Sequence, residues 1–132
     1  MAELILNELE IASPSAVRGA ARDFAAALAD TPQFKAIEEA AERLRADEAA
    51  QHTMQAYQAK QQSLQALLML NAVSAEERAE LERLRQAFLT QPSVRAYFQA
   101  EDDLRALCQT TAVLLSQHIG IDFASACGSG CC

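Results

Sequence analysis

The last seven residues, ACGSGCC, carry three thiols within six positions: Cys127, Cys131 and Cys132. Thiolates are ligands for both iron–sulfur clusters and zinc, and each of those centres usually takes four protein ligands. Cys127 and Cys131 can stand at most about 14 Å apart on extended chain, and Gly128 and Gly130 free the backbone to fold both sulfurs around one centre. Cys131 and Cys132 are adjacent, so in extended backbone their side chains point to opposite sides. Sharing one centre takes a local kink, or else one of the two serves a different subunit. Three ligands in this geometry point to a site completed by another chain. The spacing Cys-x3-Cys-Cys matches the common pattern of neither metal, so cluster, zinc and an idle tail all stay open. A thiol-disulfide switch between Cys127 and Cys131 is disfavoured, because no thioredoxin-like strand and helix pattern surrounds them. A terminal Cys-Cys pair also occurs as the prenylation signal of Rab GTPases, but the chain has no Gly-x4-Gly-Lys phosphate loop to accompany it.

The remaining reactive side chains offer less. Cys108, one turn beyond Leu104, is expected to behave as a small buried hydrophobe. His118 stands nine positions before Cys127 and is a candidate fourth ligand, although its placement near a helix C-terminus is better explained by the negative helix end. His52 lies in a polar stretch and is expected at the surface. The carboxylate runs at 38–39, 76–77 and 101–103 read as solvated helix faces; Glu101 stands out because it falls between Tyr97 and Leu104, and its expected partner is Arg105 at i+4. Ser125 and Ser129 have no His and Asp at a suggestive spacing, and no glycine-rich phosphate cradle exists, so no enzyme is read here.

The elements that must position these residues are all helical. Ser13-Pro14 reads as an N-cap with proline at the first helical position, starting a helix to about Ala29, and Thr31-Pro32 repeats the device. Phe34, Ile37, Ala41 and Leu44 then follow at steps of three and four. Asp47 can cap a new turn, which favours two collinear helices over residues 32–71, the second placing Met54, Tyr57, Gln61, Leu64 and Leu68 on one face. Ser74 and Glu77 have capping-box spacing, predicting a helix from Ala75 to Leu89 with Leu81, Leu84 and Phe88 inward. Pro92 starts the last helix, whose buried stripe is expected to run through Val94, Tyr97, Leu104, Leu107, Thr111 and Leu114 to a glycine exit at Gly120. The fold class is all-α: a four- to five-helix antiparallel, bundle-like domain over residues 1–120, then a flexible Gly/Ser/Cys tail over 121–132.

Composition bounds the partners. At 132 residues the chain has the length of one domain, and 28 alanines with only 5% aromatic residues make a thin core. Such a core favours close helix approach and gains burial from another subunit, so a homo-oligomer is expected. The net charge of −7 argues against holding nucleic acid without a basic partner. MAELILNELE lacks a basic flank and a long apolar run, and no stretch approaches the roughly 20 apolar residues of a membrane span, so a cytoplasmic protein is expected.

The blocks TPQFKAIEEAAERLRADEAAQHTMQAYQAKQ and QPSVRAYFQAEDDLRALCQTTAVLLSQHIG, in that order and followed by ACGSGCC, resemble the YlbF/YmcA family of small helical bacterial regulators. The similarity runs from about Ser13, and the cysteine tail is similar to that of YlbF-like members. It implies oligomers and a regulatory assembly with YmcA-like and YaaT-like proteins that carries iron–sulfur clusters. It further implies links to sporulation, competence and biofilm control, and to messenger RNA processing beside the endoribonuclease RNase Y. On this resemblance Cys127, Cys131 and Cys132 are expected to hold a cluster of the [4Fe-4S] type, shared with a partner or second subunit, and Glu101 matches a family position usually acidic. The expected function is a non-catalytic regulatory subunit. The alternatives are a helical oligomeric scaffold or adaptor with an idle tail, and a zinc-binding or thiol-redox switch.

Overall fold

The computed structural model describes residues 13–126, and every regular element among them is a helix. The helices are α1 (Pro14–Ala29), α2 (Pro32–Ala46), α3 (Glu48–Ser63), α4 (Gln65–Met69), α5 (Ala75–Leu89), α6 (Pro92–Ile119) and α7 (Phe123–Ala126). Their starts follow from local side chains that take up the orphan N–H groups of a first turn. Ser13 Oγ accepts from the Ala16 N–H, Asp47 Oδ1 from Ala50 and Ser74 Oγ from Glu77, at 3.1–3.2 Å. Thr31 serves both sides of its turn: Oγ1 accepts from the Phe34 N–H at 3.2 Å and donates to the Leu28 carbonyl at 2.7 Å. Gln91, which precedes Pro92, makes no side-chain cap bond. At the far end of α6, Gly120 adopts φ 74°, a left-handed conformation that costs glycine little.

Packing turns these helices into a long hairpin. α2 runs along α6, and α3 runs along α5, with α4 and a turn at Asn71 joining the two arms. Asn71 carries φ 51° and accepts from Arg78 Nη2 at 3.0 Å through its side-chain oxygen. Each arm is broken near its middle, at Asp47 in one and at Thr90–Gln91 in the other, and the breaks lie at the same level. Ser93 Oγ donates to Asp47 Oδ2 at 2.6 Å, a bond spanning 46 residues of sequence, so one carboxylate caps α3 with one oxygen and ties the opposite arm with the other.

The core is small and made largely of small side chains: Ala40, Ala50, Leu64, Val73, Val94 and Ala100. Alanines at the α2/α6 contact let two backbones approach closely, as the composition suggested. Phe34, Ile37, Ala41 and Leu44 are half-buried, as are Leu81, Leu84 and Phe88, so the inward faces read from their spacing are correct in direction.

Three expectations need correction. The helix expected to continue to residue 71 ends at Ser63, and Leu64 becomes the buried residue between α3 and α4; Leu68, beyond the break, is exposed, and so is Gln61 in the last turn of α3. Leu114 is exposed, because α6 is 28 residues long, about 42 Å, whereas α2 has 15 and spans about 22 Å. The distal half of α6 therefore overhangs its cover. Cys108 lies at the start of that overhang and is exposed, not buried.

Candidate functional site

The three thiols expected to bind a cluster, Cys127, Cys131 and Cys132, lie outside the described residues; the structure shows what leads to them. α6 closes at Gly120, whose N–H bonds the Ser116 carbonyl at 2.9 Å. The chain then turns back, and the Phe123 N–H donates to Ser116 Oγ at 3.0 Å. Ser125 Oγ donates to Asp122 Oδ2 at 2.6 Å, and this bond holds the Asp122 carboxyl below its ordinary pKa. One helical turn, α7, thus occupies part of the stretch read as tail and brings the chain to Ala126 at the distal end of α6.

Both histidines of the chain are exposed. His118 is exposed in the last turn of α6, where an imidazole complements the negative helix end. His52 is exposed on α3, as its polar surroundings suggested. Among the described residues no three His, Cys, Asp or Glu side chains come together to hold a metal. The three tail thiols expected as ligands are one short of the four that such a centre usually takes.

Several carboxylates of α5 and α6 are engaged along their own helices. Arg105 bridges Glu101 at 2.7 Å and Asp102 at 2.9 Å, the partner expected for Glu101. Arg83 grips Glu80 through two bonds of 2.9 and 2.6 Å, which lowers the Glu80 pKa. Glu82 is lowered first by Gln86 Nε2 at 2.8 Å and then by Arg85. An open groove of about 470 Å³ beside α2 is lined by Lys35, Glu38, Glu39, Glu42, Arg45 and Tyr97 among others, a mixed-charge surface.

Sequence reasoning missed Ser93. The residue two places after Gln91 reads as an ordinary first-turn serine, and nothing local marks Asp47 as its partner. Its hydrogen bond is the largest cause of the lowered pKa of Asp47, ahead of the Ala50 N–H.

The model of the family described as control of competence regulator ComK, YlbF/YmcA, matches residues 17–120. The chain belongs to the YlbF/YmcA family. The match spans nearly all of α1 through Gly120, the residue that closes α6, and stops before the cysteine tail. No curated protein and no solved structure matches the chain. The family description makes the role a regulatory one. No described helix of this YlbF/YmcA protein is long and apolar enough to cross a membrane.

Proposed function

We propose that this YlbF/YmcA-family chain is a non-catalytic subunit of a cytoplasmic regulatory complex, and that Cys127, Cys131 and Cys132 bind an iron–sulfur cluster of the [4Fe-4S] type. The missing ligand comes from a second copy or from a YmcA-like or YaaT-like partner. The observation that carries the reading is the juxtaposition of a family match ending at Gly120 with three thiols in the next twelve residues. Glu80, Glu82 and Glu101 each pair with an arginine of their own helix, which supports a structural role for these carboxylates. The complex acts on development and messenger RNA processing through its partners, because a chain of net charge −7 has little means of gripping RNA itself.

The test is anaerobic purification, alone and with a YmcA-like partner, followed by measurement of iron, sulfide, zinc and visible absorbance. Iron and sulfide in equal amounts, lost when Cys127, Cys131 and Cys132 are all changed to serine, are the expected result. Zinc without sulfide would replace the cluster by a zinc site. Metal-free protein in both preparations would leave a helical scaffold with an idle tail.

A further inference from the structure

Both arms of the hairpin stop being helical at one level, and no described helix crosses it. In one arm α2 ends at Ala46 and α3 begins at Glu48; in the other α5 ends at Leu89 and α6 begins at Pro92. Each break is written into the sequence. Asp47 Oδ1 accepts from the Ala50 N–H at 3.1 Å and Gln51 Nε2 donates to the Leu44 carbonyl at 2.9 Å, so side chains replace the backbone ladder across that joint. Pro92 has no N–H to donate and holds Gln91 in the extended region, at φ −63° and ψ 132°. Asp47, at φ −85° and ψ 95°, has left the helical region as well. Extended backbone of this kind tolerates tens of degrees of change in ψ.

Packing follows the same division. α2 packs along α6 and α3 along α5, whereas neither diagonal pair, α2 with α5 or α3 with α6, packs extensively. The buried residues sort accordingly. Ala40 and Ala100 lie within the α2/α6 pair, Leu64 and Val73 at the far end of the α3/α5 pair, and the fully buried Ala50 and Val94 close to the two joints. Contacts near a rotation axis change little when it turns, so Ala50 and Val94 oppose a bend less than residues far from the axis would. A polar contact opposes it directly. Among the described residues, the bond from Ser93 Oγ to Asp47 Oδ2, at 2.6 Å, is the only side-chain hydrogen bond between the two arms. Every described ion pair lies within one arm or in the α1–α2 turn. With Oδ1 on the first turn of α3 and Oδ2 on the first turn of α6, the Asp47 carboxylate fastens one helix pair to the other through a short, charge-assisted bond.

We propose that the chain is an articulated hairpin: the α2/α6 and α3/α5 pairs hinge as two bodies at the level of Asp47 and Gln91, and the Asp47–Ser93 bond is the latch that holds them at the observed angle. Element-terminal residues that absorb a change in backbone angles are the usual material of a hinge. Two joints one helix separation apart, roughly 8–10 Å, define a single axis running through both. The α3/α5 pair therefore swings out of the hairpin plane and not within it. With α3 about 24 Å long, a turn of about 20° carries its far end about 8 Å. A partner that grips both pairs sets the angle, and one that grips a single pair leaves it free. This inference goes beyond the proposed function and is independent of the cluster.

Residual dipolar couplings of the backbone amides test it on the full chain, because they read the orientation and order of each helix separately. In the natural protein α2, α3, α5 and α6 should fit one alignment tensor. Ser93→Ala removes the latch and leaves the Asp47 cap. In that variant α2 with α6, and α3 with α5, should each still fit one tensor, but the two tensors should differ by rotation about the line through the joints. Hydrogen exchange of the Gln51 and Arg95 amides, which bond the Asp47 and Gln91 carbonyls across the joints, should speed roughly tenfold. Asp47→Asn, which keeps the cap acceptor and loses the charge of the latch, should act in the same direction to a lesser degree, and it serves if Ser93→Ala fails to fold. Ser74→Ala, which removes a cap bond far from the joints, should keep one tensor. A single tensor in both latch variants, disagreement within either pair, the same splitting in Ser74→Ala, or two tensors already in the natural protein would each overturn the proposal.

Discussion

Asp47 is the residue on which the two arms depend. Its Oδ1 caps α3 and its Oδ2 receives Ser93 from α6, and both bonds favour the ionised carboxylate. A carboxyl whose folded pKa lies below its unfolded value, about 3.9 for aspartate, adds stability that is present above that value and is lost as pH falls through the folded pKa. Ser93→Ala removes the larger cause while leaving the cap. Carboxyl ¹³C titration should then show the Asp47 pKa rising toward its ordinary value, and urea midpoints should differ from the natural protein at pH 7 and converge as the pH falls below the folded pKa of Asp47. Glu80, Glu82 and Asp122 are lowered too and add to the same acid limb in both proteins, so the difference between the two isolates Asp47. Gly120 offers a second test at this scale. An added Cβ meets nothing within 4 Å, so Gly120→Ala should cost only the left-handed backbone penalty, about 1 kcal/mol, read as a small drop in thermal midpoint.

At the scale of elements, the signals that start and stop helices act over three or four residues and were legible in the sequence. Ser13, Thr31, Asp47 and Ser74 cap the helices assigned to them, and Pro14, Pro32, Pro92 and Gly120 stand at the ends they mark. What pairs with what was less legible. Ala40 and Ala100 are core residues because α2 and α6 approach each other there, and an alanine among 28 carries no mark of that role. Leu114 has the spacing of a buried stripe, but spacing does not say where a neighbouring helix stops. If the alanines set the α2/α6 separation, Ala100→Leu should destabilise by about 1–3 kcal/mol through overpacking, whereas the same change at exposed Ala106 should be close to neutral. Chemical denaturation of both variants makes the comparison, and equal effects would mean that Ala100 does not lie in a close contact.

For the whole molecule, a hairpin with a small core and exposed apolar side chains on α1 and the distal half of α6 suits the proposed role of one subunit in a larger assembly. The tail thiols are candidate ligands by residue type and clustering alone, and no described side chains converge to supply a further one. On the proposed reading, regulation would rest on the cluster and the partner being bound together, so that loss of one loosens the other. Native mass spectrometry under anaerobic conditions reads chains and inorganic content in one spectrum and tests that joint claim most directly. The expected result is an assembly of two or more chains carrying the added mass of a [4Fe-4S] cluster, with the cluster mass absent when Cys127, Cys131 and Cys132 are serine. A cluster carried by single chains, or assemblies with and without a YmcA-like partner that hold no iron and sulfide, would contradict it.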